Sequence, residues 1–424
     1  MIISNFIDLK DKVIQVANRL DPDSDTAQSI EEKTREILTS FKNSNNKLES
    51  LKELSKKFDN KDISDFRVDC TKKFDELASN QKGAIKLAVR RIEKFQKACL
   101  PKDYSLVEDK DLLKLIFKPV DSVGIYVPGG SAPLLSTLMM TAIPAKVAGV
   151  KRIALVSPPK VHNYILAVAD YLGIQEIYQI GGVQAIASLT YGVEEIGLLP
   201  VDKIVGPGNP YVTIAKKLVF GKVGIDALYG PSELVIIADE FANPKLIAHD
   251  LMSQLEHGSG YEAACLFTNS QNVAEKVITE FEIILENQPN KANIKKAWSD
   301  YGIIGLTETL EQCAELSNLF APEHLEIKVK KQSEILSLIK HAGAIFTQKS
   351  NEALGDYLVG PSHCLPTGRS ARFSSGLSVM DFLKRSSFVD INPSEELIEA
   401  TAVLARMEGL EAHAQAALSF KNSY

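Results

Sequence analysis

The sequence predicts an α/β protein: two successive units of alternating strands and helices on parallel sheets, set between helical N-terminal and C-terminal segments. Three observations carry this. From Asn5 to about Leu115 apolar residues recur at helical spacing with few Gly or Pro. Near Val120 the texture changes to short β-branched runs alternating with helical patterns, and near Glu233 that alternation begins a second time.

Within the first segment, Ile85, Leu87, Ala88, Ile92, Phe95 and Cys99 form one apolar stripe, which predicts a helix over Ile85–Leu100. The next series has strands at Val123–Val127, Arg152–Val156, Glu176–Ile180 and Lys203–Val205. Its helices fall at Pro133–Ala148, His162–Leu172, Val183–Leu189 and Pro210–Phe220. Strand–helix alternation of this kind implies parallel strands joined by right-handed crossovers. The second series places strands at Glu233–Ala238, Ala263–Thr268, Gly302–Gly305 and Gly343–Thr347. Helices are expected at Pro244–His257, Val273–Glu286, Glu308–Leu319 and Gln332–His341, and the tail Ser394–Tyr424 is helical again.

At 424 residues the chain exceeds one ordinary core. Its 45% hydrophobic and 24% charged residues suit a soluble globular protein. A net charge of -6 without a basic cluster argues against a nucleic-acid partner, and the interleaved Lys52, Glu53, Lys56 and Lys57 read as a solvated helix face. The most apolar stretch, Leu134–Val150, is interrupted by Pro144 and Lys146, which argues against a membrane span. The N-terminus has neither a basic region nor a long apolar run, so no signal peptide is expected. Five cysteines lie far apart with no CxxC spacing, which disfavours a disulfide framework or a thiolate metal site. The expected location is the cytoplasm.

Three glycine loops follow predicted strands: Tyr126-Val-Pro-Gly-Gly-Ser131, Gly181-Gly-Val-Gln184 and Gly206-Pro-Gly-Asn209. Backbone N–H groups at helix starts bind anions, and Gly permits close approach. Each loop read alone is equally a plain turn. No GxGxxG and no P-loop lysine is present.

Of seven histidines, four have distinctive surroundings. Gln254 and His257 share a helix face, as two metal ligands or as a solvated cap. In Ala321-Pro-Glu-His-Leu325, between a helix and a strand, Pro322 restrains Glu323 and His324 for acid/base work or for a surface turn. Asp356 and His363 lie on the glycine-punctuated stretch Gly355–His363, a functional loop or ordinary turn chemistry. Glu408 and His413 are five apart, off one face, and His413 alone reads as well as a structural histidine. Gln254, His257, Asp356 and His413 together would make a thiolate-free ligand set suited to a catalytic divalent ion.

The ordered series Val123-Gly-Ile-Tyr-Val-Pro-Gly-Gly-Ser-Ala-Pro-Leu134, Val205-Gly-Pro-Gly-Asn209, Gly230-Pro-Ser-Glu-Leu234, Ala321-Pro-Glu-His-Leu325, Gly355-Asp-Tyr357, His363-Cys-Leu-Pro-Thr367 and Phe373-Ser-Ser375 resembles the histidinol dehydrogenase family over essentially the whole chain. The resemblance implies two incomplete Rossmann-like units divided as residues 1–24, 25–122 with 234–377, 123–233 on the NAD side, and 378–424. It implies zinc on Gln254, His257, Asp356 and His413, and an acid/base pair of Glu323 and His324. Substrate would be contacted by Ser232, His363 and Glu408 besides the zinc ligands and His324, and NAD by Tyr126, Gln184 and Asn209. It further implies a homodimer whose C-terminal segment reaches the partner's site, oxidising L-histidinol to L-histidine with two NAD. Alternatives are a paralogous zinc- and NAD-dependent dehydrogenase of another small polar alcohol, a zinc hydrolase using Glu323, and a thiohemiacetal route through Cys364. The family's usual proline two residues after the helix histidine is absent: Gly258-Ser-Gly260 follows His257, and a looser helix exit is expected.

Overall fold

The computed structural model describes residues 2–19, 24–108, 111–129 and 133–422; Gly130, Ser131 and Ala132 of the first glycine motif lie outside them. Two compact units emerge, Met1–Leu100 with Val120–Phe382, and Pro101–Pro119 with Leu383–Tyr424.

In chain order the elements begin with β1 (Ile2–Ile3), α1 (Phe6–Ala17), α2 (Asp25–Asn43), α3 (Lys47–Phe58) and α4 (Ser79–Ala98), followed by β2 (Tyr104–Glu108) and β3 (Asp111–Pro119). The first α/β series is β4 (Ser122–Tyr126), α5 (Leu135–Ala148), β5 (Arg152–Ser157), α6 (Asn163–Leu172), β6 (Glu176–Gln179), α7 (Gly182–Tyr191), β7 (Lys203–Val205), α8 (Pro210–Val219) and β8 (Gly224–Ile225). The second is β9 (Glu233–Ala238), α9 (Pro244–Leu255), β10 (Ala263–Thr268), α10 (Gln271–Glu286), α11 (Lys291–Tyr301), β11 (Gly302–Leu306), α12 (Leu310–Phe320), β12 (His324–Lys328), α13 (Gln332–Leu336), β13 (Ala344–Phe346) and α14 (Glu352–Tyr357). The chain closes with β14 (Leu383–Asp390), α15 (Glu395–Met407) and α16 (Glu411–Leu418).

Both expected parallel sheets are present. The five-stranded sheet runs β6-β5-β4-β7-β8 and the six-stranded sheet β1-β11-β10-β9-β12-β13. Strand order reverses direction between β4 and β7 in one and between β9 and β12 in the other, the points where open α/β sheets form crevices. Helix starts follow local chemistry: Asn209 and Asn243 accept from backbone N–H groups one turn on, and Pro210 and Pro244 occupy the first turn where no N–H is needed.

Helices cover both sheets. Residues 25–66, grouped in the sequence reading with 234–377, place Leu38, Phe41, Leu51, Ile63 and Phe66 in the core of the five-stranded layer beside Tyr178 and Ile186. Leu9, Val13 and Val16 of α1 join Phe267 and Phe320 on one face of the six-stranded sheet. Helices α9, α10 and α11 fill the other face with Leu251, Phe281 and Ala297.

The helical expectation through Leu115 fails at residues 104–119. There β2 and β3 form a hairpin, and β14, also unforeseen, pairs antiparallel with β3 in the second unit. The run Leu112-Leu-Lys-Leu-Ile-Phe117 carries apolar residues on both strand faces, which mimics helical spacing. Strand β12 begins at His324 itself, so His324 and Leu325 are sheet residues and not a connecting turn. Helix α13 stops at Leu336, short of the expected His341. Among the described residues no helix is long and apolar enough to cross a membrane.

Candidate active site

The amino ends of β9 and β12 hold a buried carboxylate–imidazole pair. Glu323 and His324 are 6% and 3% exposed. Glu323 Oε2 accepts the backbone N–H of Glu233 at 3.1 Å, and His324 Nδ1 lies 3.3 Å from the Glu233 carbonyl oxygen. His324 Nδ1 and Glu323 Oε2 are 3.7 Å apart, and His324 Nε2 is 3.7 Å from Asp356 Oδ1. Burial pushes the Glu323 carboxyl up to about 7, against the pull of His324. Burial disfavours the His324 cation, yet Glu323, Glu352 and Asp356 outweigh it and raise the imidazole to about 10.

Beside this pair stands a donor cluster. One donor atom each from His257, Glu352 and Asp356 lies within 4.8 Å of the others. His257 follows the C-terminal end of α9, its Nδ1 3.0 Å from the Gln254 carbonyl. Gln254, one turn earlier, is 0% exposed, and neither its amide oxygen nor its nitrogen has a hydrogen-bond partner. A buried amide left unpaired is costly, so it suits a ligand that completes it. Asp356 sits on α14, whose start is fixed by Asn351 accepting from Leu354 N and donating to Asp250. Burial would raise Asp356, but the neighbouring imidazoles of His324, His363 and His257 hold it below the usual carboxylate range. His363 Nδ1 is 4.0 Å from Asp356 Oδ1, its Nε2 is 3.4 Å from Thr137 Oγ1, and burial lowers its pKa.

These oxygen and nitrogen donors fit a zinc-type divalent ion. Glu352 was missed by the sequence reading although it lies one helical turn before Asp356 and so shares its face. The expected loose exit after His257 is instead tied down: Ser259 and Gly260 N–H groups donate to the buried Glu262 carboxylate at 2.6 and 2.9 Å.

The glycine loops gather at the carboxyl ends of the five-stranded sheet. Tyr126 ends β4, and its buried hydroxyl, pushed up to about 12 by burial, accepts the Gly182 N–H at 3.3 Å. Gln184 donates to Asp59 Oδ2 at 3.0 Å, so Asp59 joins this loop, a residue with no local motif to announce it. A Cβ on Gly206, at φ +111°, would lie 2.2 Å from the Tyr126 carbonyl oxygen, and Cβ atoms on Gly129 and Gly181 would both meet Pro158. The loops therefore border one crevice at the β4/β7 reversal. Asn209 is exposed, its side chain capping α8.

Ser232 is half-buried directly before Glu233. Glu408 and His413 belong to the second unit, where Glu408 ends α15 and His413 lies on α16, both exposed. Cys364 is buried, and burial pushes its thiol up, an environment that disfavours the thiolate.

Two parallel α/β layers with a buried carboxylate–imidazole pair beside a nitrogen–oxygen donor cluster make an α/β protein with a candidate metal centre. The histidinol dehydrogenase family profile matches residues 21–419. "Histidinol dehydrogenase 2" of Trichormus variabilis is 49% identical over 339 residues, 78% of each chain. The Bacillus licheniformis histidinol dehydrogenase is 44% identical over 375 residues, 85% of this chain and 87% of that one. The crystal structure of histidinol dehydrogenase from Elizabethkingia anophelis superposes with a TM-score of 0.91 at 32% identity, covering 100% of this chain and 98% of that chain. The chain belongs to the histidinol dehydrogenase family and is an oxidoreductase.

Proposed function

We propose that the chain oxidises L-histidinol through L-histidinaldehyde to L-histidine, with one zinc ion per subunit and two NAD consumed per substrate. The observation that carries this is the buried Glu323–His324 pair, with His324 Nε2 3.7 Å from Asp356, whose carboxylate shares a donor cluster with His257. Gln254, His257 and Asp356 would hold the zinc, joined by His413 from the second subunit of a cytoplasmic homodimer. When bound, zinc would supply a template for the substrate's imidazole and amino nitrogens.

His324 takes the hydroxyl proton at Nε2 while hydride leaves the carbinol carbon for NAD, giving the aldehyde. Glu323 then takes a proton from water as its oxygen adds to the aldehyde carbon, and hydride passes to a second NAD. Of the carboxylates that lift His324, Glu323 and Glu352 lie outside the proposed ligand set and Asp356 lies within it; a divalent cation on Asp356 would weaken that part of the lift on the imidazole. Ser232, His363 and Glu408 would contact the substrate, and Tyr126, Gln184 and Asn209 would line the NAD crevice. Burial of the pair protects a reactive aldehyde from bulk water.

The test is NADH formation from L-histidinol with and without a chelator. The proposal expects two NADH per histidinol, loss on chelation and recovery with added zinc. Turnover without NAD, or activity confined to other small polar alcohols, would overturn it.

A further inference from the structure

The acid/base pair is held from behind by one residue. Glu233 offers its backbone N–H to Glu323 Oε2 and its carbonyl to His324 Nδ1. Parallel register sets His324 opposite Leu234, the next residue of β9. A carbonyl partner fixes the proton on Nδ1 and leaves Nε2 as the nitrogen that exchanges protons.

The Glu233 side chain is itself anchored. Its Oε1 accepts Arg19 Nη1 at 2.9 Å and the Gly368 N–H at 3.1 Å, and the two paired side chains are 2% and 0% exposed. Three further Arg19 donors go to carbonyls: Nε to Tyr261 at 2.6 Å, Nη1 to Val16 at 3.1 Å and Nη2 to Pro231 at 3.3 Å. It thus grips both neighbours of Ser232 and ties the end of α1 to the chain ahead of β9 and β10. A planar guanidinium can make this set of contacts; an ammonium cannot.

We propose that the Arg19–Glu233 ion pair is the positioning device of the active site. On this reading the N-terminal helix governs the rate of both oxidations by fixing the orientation of His324 and Glu323 through the Glu233 backbone. The inference rests on the acid/base assignment proposed above. Arg19 and Glu233 are positioning residues and exchange no proton with substrate.

The experiment compares Arg19→Met, Arg19→Lys and the double variant Arg19→Met/Glu233→Leu with the wild type, each zinc-loaded. Melting temperature, zinc content, kcat and KM are measured with L-histidinol and with L-histidinaldehyde. A misplacement near 1 Å costs on the order of 10²-fold in rate. Arg19→Met should therefore lose about that much kcat in both oxidations while KM rises by less, and Arg19→Lys should recover only part of it. The double variant removes the unpaired buried charge and should regain stability but stay slow. Imidazole ¹⁵N spectra, with His324 assigned by difference from His324→Asn, should lose the Nδ1-protonated signature in Arg19→Met.

Recovery of both stability and rate in the double variant would show a merely structural pair and overturn the proposal, as would wild-type kcat in Arg19→Met. His324→Asn and Glu323→Gln run alongside. If these are slow while the Arg19 variants are fast, the positioning role falls and the acid/base assignment stands. If the controls themselves are fast, the assignment falls, and this inference with it.

Discussion

Replacing Gln254 with Met should make the metal-free protein more stable and the zinc-loaded protein less so. Gln254 is fully buried with both amide atoms unpartnered. An unsatisfied buried polar group costs about 1–3 kcal/mol, and a thioether chain of similar length makes no such demand. The chelated variant should therefore gain on that scale. At roughly 2–4 °C per kcal/mol for 150–250-residue domains, the melting temperature should rise by several degrees. Zinc reverses the order. A ligand at 100 times its dissociation constant stabilises by about 2.7 kcal/mol, and the variant forfeits most of this with its lost donor. The assay is thermal unfolding of both proteins in chelator and across a zinc titration, with metal content measured on the same samples. A variant less stable than wild type in chelator, or one stabilised by zinc to the same extent, would refute the reasoning.

Four further outcomes are expected. His324→Asn should slow alcohol oxidation by on the order of 10²–10⁴-fold, while Glu323→Gln should hit aldehyde oxidation harder; stopped-flow assays started from histidinol or the aldehyde separate the two. Burial raises Glu323 to about 7, and a base works only when deprotonated, so aldehyde oxidation should decline as pH falls through about 7, and that limb should vanish in Glu323→Gln. Gly206→Ala puts a Cβ 2.2 Å from the Tyr126 carbonyl oxygen at φ +111°, so KM for NAD should rise several-fold with zinc content unchanged, as read by NAD titration and metal analysis. If His413 of one subunit serves the other's site, mixing His413→Ala with His257→Ala under verified subunit exchange should restore activity, up to about half per mixed dimer by two-fold symmetry; a silent mixture would place His413 elsewhere.

The two parallel sheets were legible because β4, β5, β9 and β10 are apolar runs punctuated by Gly, Pro or Asn before each crossover. Strand β12 was hidden because two of its five residues, Glu326 and Lys328, are charged yet buried, paired with each other at 3.0 Å. Strands β3 and β14 escaped for another reason: Leu115 meets Ser387 far along the chain, and short-range periodicity carries nothing about such a partner. In the site, Glu323, His324, His257, Asp356 and His363 do come together. Glu352 was readable as the residue four before Asp356, whereas Arg19, Glu233 and Asp59 act through tertiary contacts that no local pattern encodes.

The edge strand β1 has a consequence for synthesis. Ile2 pairs with Ile304, about 300 residues on, and closing a flexible loop of that size costs roughly 5 kcal/mol in chain entropy. The five-stranded layer draws its strands from the contiguous stretch between β4 and β8 and can settle while the ribosome is still making the rest. The first nineteen residues must instead wait, with the apolar side of α1 uncovered, until β11 and α12 have emerged. This edge of the six-stranded sheet thus closes only after β9, β10 and β11 are all in hand.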